Sequence, residues 1–123
     1  MYTVLRLDFD EESRQLITIT ANQLNEVYPK TCDGEDRVPL RMSCTIACGN
    51  SWEEHLQKIV EKLGRFLPII NQHSAHLREK QLDILIEPED WGPSAFGDYR
   101  VTPALLCLLF TNGIELIFTV SRP

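Results

Sequence analysis

Three histidines, four cysteines and a series of paired acids are the side chains in this 123-residue sequence with the chemistry for a reactive site. His73 and His76 stand three apart, a spacing that on a helix would bring both imidazoles toward one metal, while His55 lies in another segment. Zinc sites need three or four converging ligands, and no C-x-x-C or H-E-x-x-H accompanies the pair, so the expectation is solvated or capping histidines and no metal. Cys44 and Cys48, joined by a distant histidine, would be the raw material of a metal site or a Cys-His nucleophile. They alternate with Leu40, Met42 and Ile46, which predicts that both face a core as small apolar residues. Cys107, inside the run Leu105 to Leu109, reads as core by the same reasoning. Together with Cys32, these are expected to be four reduced thiols. No G-x-G-x-x-G, G-x-x-x-x-G-K-S/T or G-x-S-x-G motif occurs, so no cofactor is expected. The acid pairs (Asp8 with Asp10, Glu11 with Glu12, Glu35 with Asp36, Glu53 with Glu54, Glu89 with Asp90) read as solvated surface. The expectation is therefore not an enzyme. The alternative is a small metal- or cysteine-dependent enzyme using His73, His76 or Cys48.

Charge points toward binding instead. Twelve Lys and Arg against eighteen Asp and Glu give 12 − 18 = −6, which argues against nucleic acid as a partner and favours a basic protein surface. The surplus acid is concentrated. Glu87, Glu89, Asp90 and Asp98 surround Trp91, Phe96 and Tyr99 in a Gly/Pro-rich stretch with no Lys or Arg before Arg100. Aromatic anchors among carboxylates describe a patch able to grip a cationic protein, and these seven residues form the expected partner-binding site. The turn Asp33-Gly34-Glu35-Asp36 would extend it. The longest apolar run, Ala104 to Phe110, is far short of the roughly 20 residues that span a bilayer, and Asp8, Asp10, Glu11 and Glu12 follow the start at once. No membrane partner and a cytoplasmic location are expected.

One domain of 123 residues must position these groups. Thr3, Leu5, Leu7 and Phe9 alternate with Tyr2, Val4, Arg6 and Asp8, predicting a strand over 2–9. Residues 16–20 are β-branched enough for a hairpin partner, with a helix as the competing reading, and 20–28 suits a short helix in either case. Strict alternation predicts a strand over 40–48. Ser51 and Glu54 spell a capping box for a helix on which Trp52, Leu56, Ile59, Leu63 and Phe66 form one stripe. Gly64 and Pro68 predict a kink or break before a second helical segment reaching about Arg78. A strand over 82–86 follows, then a helix opened by Thr102-Pro103 and closed by Asn112-Gly113, then a strand over 114–120. The order predicts an α+β domain: a mixed, largely antiparallel sheet of four to five strands with helices packed on one face.

This layout carries a resemblance. The residues are the first strand Tyr2 to Phe9, the Gly34-Glu35-Asp36 turn, the helix from Trp52, Leu82-Asp83-Ile84-Leu85-Ile86, and the ending from Val101-Thr102-Pro103 through Gly113-Ile114-Glu115-Leu116. In that order they resemble small bacterial α+β domains that include immunity proteins of polymorphic toxin and contact-dependent inhibition systems. The pattern departs at Met42-Ser43-Cys44, where a Trp is expected, and at Val120 to Pro123, where an aromatic is expected. The resemblance implies a protein that binds a cognate toxin domain, such as a basic nuclease, and blocks its active or substrate-binding surface. A homo-oligomer closing the edge of the final strand is a further alternative.

Overall fold

The first strand forms as its alternation predicts. β1 runs Tyr2–Phe9, with Thr3, Leu5, Leu7 and Phe9 fully buried and the residues between them half-exposed. The computed structural model describes residues 1–27, 41–49, 51–87 and 99–120. Their remaining strands are β2 (Arg41–Cys48), β3 (Leu77–Ile86) and β4 (Glu115–Val120). They form one mixed sheet in the order β2-β1-β3-β4. β1 is antiparallel to both neighbours, and β3 is parallel to β4. The described sheet thus has four strands, the lower of the two numbers expected, and its first strand lies inside it rather than in a hairpin.

Residues 16–20 are helical, not a strand. α1 spans Leu16–Val27. Both edges of β1 are taken by β2 and β3, which leaves no edge for a hairpin partner. Ile17, Thr20, Ala21 and Leu24, at i, i+3, i+4 and i+7, give instead one stripe that the core buries. Packing outweighs the weak helix propensity of the Ile and Thr residues here.

α2 (Trp52–Gln72) runs unbroken through Pro68. The proline removes one backbone bond, yet Leu63, Phe66, Leu67 and Ile70 are buried on either side of it and anchor both halves to the same core. The helix ends earlier than expected: His73 caps it, Ser74–His76 form a 3-10 turn, and the chain is already extended at Leu77. Arg78, Glu79 and Lys80 show no apolar alternation. Backbone pairing of Asp8 with Glu79 and Phe9 with Leu77 makes them strand.

α3 (Pro103–Thr111) opens as read: Thr102 Oγ1 accepts from the Leu105 amide, and proline occupies the first turn. Its close is a Schellman turn. Ile114 N–H donates to Leu109 O at 2.8 Å and Gly113 N–H to Phe110 O at 3.2 Å, with Gly113 at φ 63°. Buried residues of all three helices meet Leu5, Leu7, Phe9, Met42, Cys44, Ile46, Leu82 and Ile84 in a single core. None of the described helices is long and apolar enough to cross a membrane.

Candidate functional site

The expected site begins where β3 ends and finishes against the start of α2. Glu87 and Tyr99, both half-buried, are its described residues; Glu89, Asp90, Trp91, Phe96 and Asp98 lie outside the described residues, as does the turn Asp33 to Asp36. Tyr99 meets Trp52 edge to face, with ring centroids 5.1 Å apart and an interplanar angle of 80°. The Trp52 indole N–H donates to Arg100 O at 2.9 Å, and the Phe118 ring lies 6.3 Å from the Trp52 ring. Three aromatic side chains from α2, β4 and the strand-to-helix connection therefore converge, none of them fully buried.

Trp52 is placed there by the first turn of α2. Ser51 holds the extended N-cap conformation, but its side chain makes no capping hydrogen bond, so the expected capping box does not form. Glu53 and Glu54 still face the positive end of the helix dipole, the favourable end for carboxylates.

A groove of about 600 Å³ lies between α2 and α3, lined by Glu53, Leu56, Gln57, Val60, Glu61, Thr102 and Ala104. Its α2 wall is one helical stripe, i, i+3, i+4, i+7 and i+8 from Glu53. Ala104, small in a helix otherwise rich in large apolar residues, leaves the space open. Leu56 and Val60 supply an apolar floor, and Glu53 and Glu61 stand exposed on the rim. Such a groove suits a side chain with an apolar stem and a cationic head. Glu61 is loosely held by Arg65 at 3.9 Å, an exposed i,i+4 pair of little strength. The sequence alone indicates the α2 stripe but not its juxtaposition with Ala104; the small residue at the second position of α3 is the signal that was there to find.

The histidines are engaged separately. His73 Nε2 donates to Gln23 Oε1 at 2.7 Å, and His76 Nδ1 shares a 2.9 Å hydrogen bond with Ser13 Oγ. Burial, and then the nearby His76, hold the His73 imidazole below its usual 6.5. His55, which the sequence sets beside the apolar stripe of α2, is fully buried, its Nε2 2.6 Å from Thr3 Oγ1. Among the described residues no three His, Cys, Asp or Glu side chains gather to hold a metal.

Two cysteine readings are corrected. Cys44 is buried as expected, but Cys48 and Cys107 are exposed. Pairing of Thr3 with Ala47 and Val4 with Thr45 leaves Ile46 as an extra residue, a bulge that shifts the alternation so that Ala47 takes the inward place and Cys48 points out. On α3 only Leu105 and Leu109 are buried; Cys107 lies on the opposite side.

Two acids on the sheet face away from the core, Asp8 and Asp83, are paired with cations. Arg41 donates to Asp8 through Nε at 2.7 Å and Nη2 at 3.1 Å, holding that carboxyl below 3.8. Buried Asp83 accepts from Arg6 and, at 2.8 Å, from Thr119 Oγ1.

No protein-family model, curated protein or solved structure matches this chain.

Proposed function

We propose that this is an immunity-type binding protein, which neutralises a toxin domain by occupying that domain's basic active or substrate-binding surface. The observation that carries the reading is the acid-rimmed apolar groove of α2 and α3, with Trp52 adjoining Glu53 and Tyr99 packed on Trp52. A cationic side chain from a partner finds apolar contact and a carboxylate in one place there, and the aromatics offer the large contact area typical of binding hot spots. The net charge of −6 steers a basic partner toward the chain, and buried aromatic contacts slow its release. Tyr99, the last residue of the acid-and-aromatic segment that begins at Glu87, packs on this cluster.

The test is titration of the purified chain with the C-terminal toxin domain of the protein encoded immediately upstream, read by calorimetry and by survival of cells expressing that domain. A complex burying on the order of 1,200 to 2,000 Å² is expected, with association that weakens as salt rises. Glu53→Lys with Glu61→Lys, or Glu89→Lys and Asp90→Lys with Trp91→Ala, is expected to weaken it by about 10- to 100-fold. If the chain binds and neither set of substitutions matters, the surface is wrongly placed. If it does not bind, the functional reading fails.

A further inference from the structure

Five large apolar residues stand exposed among the described residues: Ile19, Leu106, Phe110, Phe118 and Val120. Four of the five belong to α3 and β4. On α3, at 100° per residue, Leu105 and Leu109 face the sheet and Ala104 turns toward the groove with α2. Leu106 and Phe110 then project from the opposite flank, away from α2. Among the described residues the strand order places β4 at the end of the sheet, so this flank lies on the β4 side of the molecule. Phe110 is 89% exposed, Leu106 48%, Phe118 40% and Val120 50%.

Two further properties single out this side. Among the described residues β4 pairs with β3 alone, leaving the backbone N–H and C=O groups of its outer edge to face outward. Natural edge strands are usually guarded by Lys, Pro, inward-pointing charges or a bulge, yet β4 reads Glu-Leu-Ile-Phe-Thr-Val, with one charge at its first position. Residues 101–120 carry that Glu115 as their single charge, in a chain where 12 + 18 of 123 residues are charged. In an acidic molecule of net charge −6, such a neutral face adds no like-charge repulsion of its own between two copies. A basic partner, in contrast, is drawn to the carboxylates elsewhere.

We propose that the outer edge of β4 and the Leu106–Phe110 flank of α3 are the contact between two copies of this chain, related by a twofold axis. Antiparallel pairing of two β4 strands is what a twofold axis generates, and it joins two four-stranded sheets into one. The register that sets Phe118 opposite its counterpart places Leu116 opposite Val120 on the same face, where apolar cross-strand pairs stabilise. It also holds the two Glu115 carboxylates roughly 20 Å apart along the strands. Leu106 and Phe110 of each copy then close over the seam.

Sedimentation equilibrium and light scattering on the whole chain test this. The expected mass is twice 14.1 kDa at tens of micromolar, falling on dilution. Leu106→Glu with Phe110→Asp is expected to weaken the dimer by about 30-fold or more. Both side chains are exposed, so an unchanged circular dichroism spectrum, and the melting point of the wild-type chain diluted to its monomer, should accompany the loss. Glu53→Lys with Glu61→Lys is expected to leave the dimer intact. A wild-type chain that stays at 14.1 kDa up to about 100 μM, a dimer that survives the α3 double substitution, or one lost on substitution of the groove carboxylates would each overturn the proposal.

Discussion

Thr3 and His55, fifty-two residues apart in sequence, meet at 2.6 Å with neither side chain exposed to solvent. The contact pins the first turn of α2 to β1, an inner strand of the sheet, beside Trp52, whose ring stacks on the imidazole at 6.4 Å. A buried polar pair of this kind is costly to break on one side only. Thr3→Val is expected to lower stability by about 1–3 kcal/mol, because it strands His55 Nε2 without its partner. The double substitution Thr3→Val with His55→Leu should recover part of that loss. Urea denaturation of the four species gives the coupling, and strict additivity would show that the two side chains act independently.

Thr20 presents the converse case. Its hydroxyl is buried on the inner face of α1 with no hydrogen-bond partner among the described residues. Thr20→Val keeps the shape and removes the stranded group, so it is expected to raise stability by about 1 kcal/mol. An unchanged or lower urea midpoint would mean that the hydroxyl is satisfied in solution.

Gly64 and Pro68 stand one turn apart in α2, the proline nitrogen occupying the place of the amide that would bond to the Gly64 carbonyl. Both are exposed, and a Cβ at Gly64 meets nothing within 4 Å. Gly64→Ala should therefore stabilise by about 0.5–1 kcal/mol, and Pro68→Ala by about 1–3 kcal/mol. If either lowers the melting temperature, the flexibility or the kink at that turn matters to the fold.

Much of the framework was legible in the sequence because it depends on local period and on turn chemistry. Alternation located β1, and Thr102-Pro103 with Asn112-Gly113 marked both ends of α3. The errors share a cause: they depend on what a segment meets. Residues 16–20 are β-branched but become helical because β1 already has two partners. The charged residues Arg78 to Lys80 are strand because β1 pairs with them. Of the expected site, Tyr99 reaches the aromatic cluster, but its contacts with Trp52, and those of Trp52 with Phe118, cross elements far apart in sequence. The groove was out of reach for the same reason.

Acid sensitivity should be traceable to His73. Its imidazole is held below 6.5 by burial and then by His76, so between the folded and unfolded values the unfolded chain binds more protons. Stability is therefore expected to fall as the pH drops below about 6.5, until the folded imidazole is itself protonated. Asp8 acts at lower pH. Held below 3.8 by Arg41, it contributes stability above that value that is lost as pH falls through its folded value. His73→Gln should flatten the slope of the urea midpoint between about pH 7 and 5 and leave the Asp8 region unchanged. A slope that persists in this variant assigns the effect elsewhere.

The bulge at Ile46 can be read out by thiol chemistry. With strict alternation, Cys44 and Cys48 would share the inner face and both be protected. The extra residue in β2 instead leaves Cys44 1% exposed and turns Cys48 outward, with Cys107 exposed on the far side of α3. In a Cys32→Ser background, a small thiol reagent should modify two cysteines quickly. The third should react only through opening of the sheet, with a rate that rises with urea, since Cys44 belongs to the core that opens last. Deleting Ile46 removes the bulge while Thr45 stays opposite Val4 and Ala47 opposite Thr3, so Cys48 should remain outward and react as fast as in the parent if the sheet survives. Slow labelling of Cys48 in the parent chain would show that β2 runs without the bulge, and its edge would then lie one residue out of register with Tyr2 and Thr3.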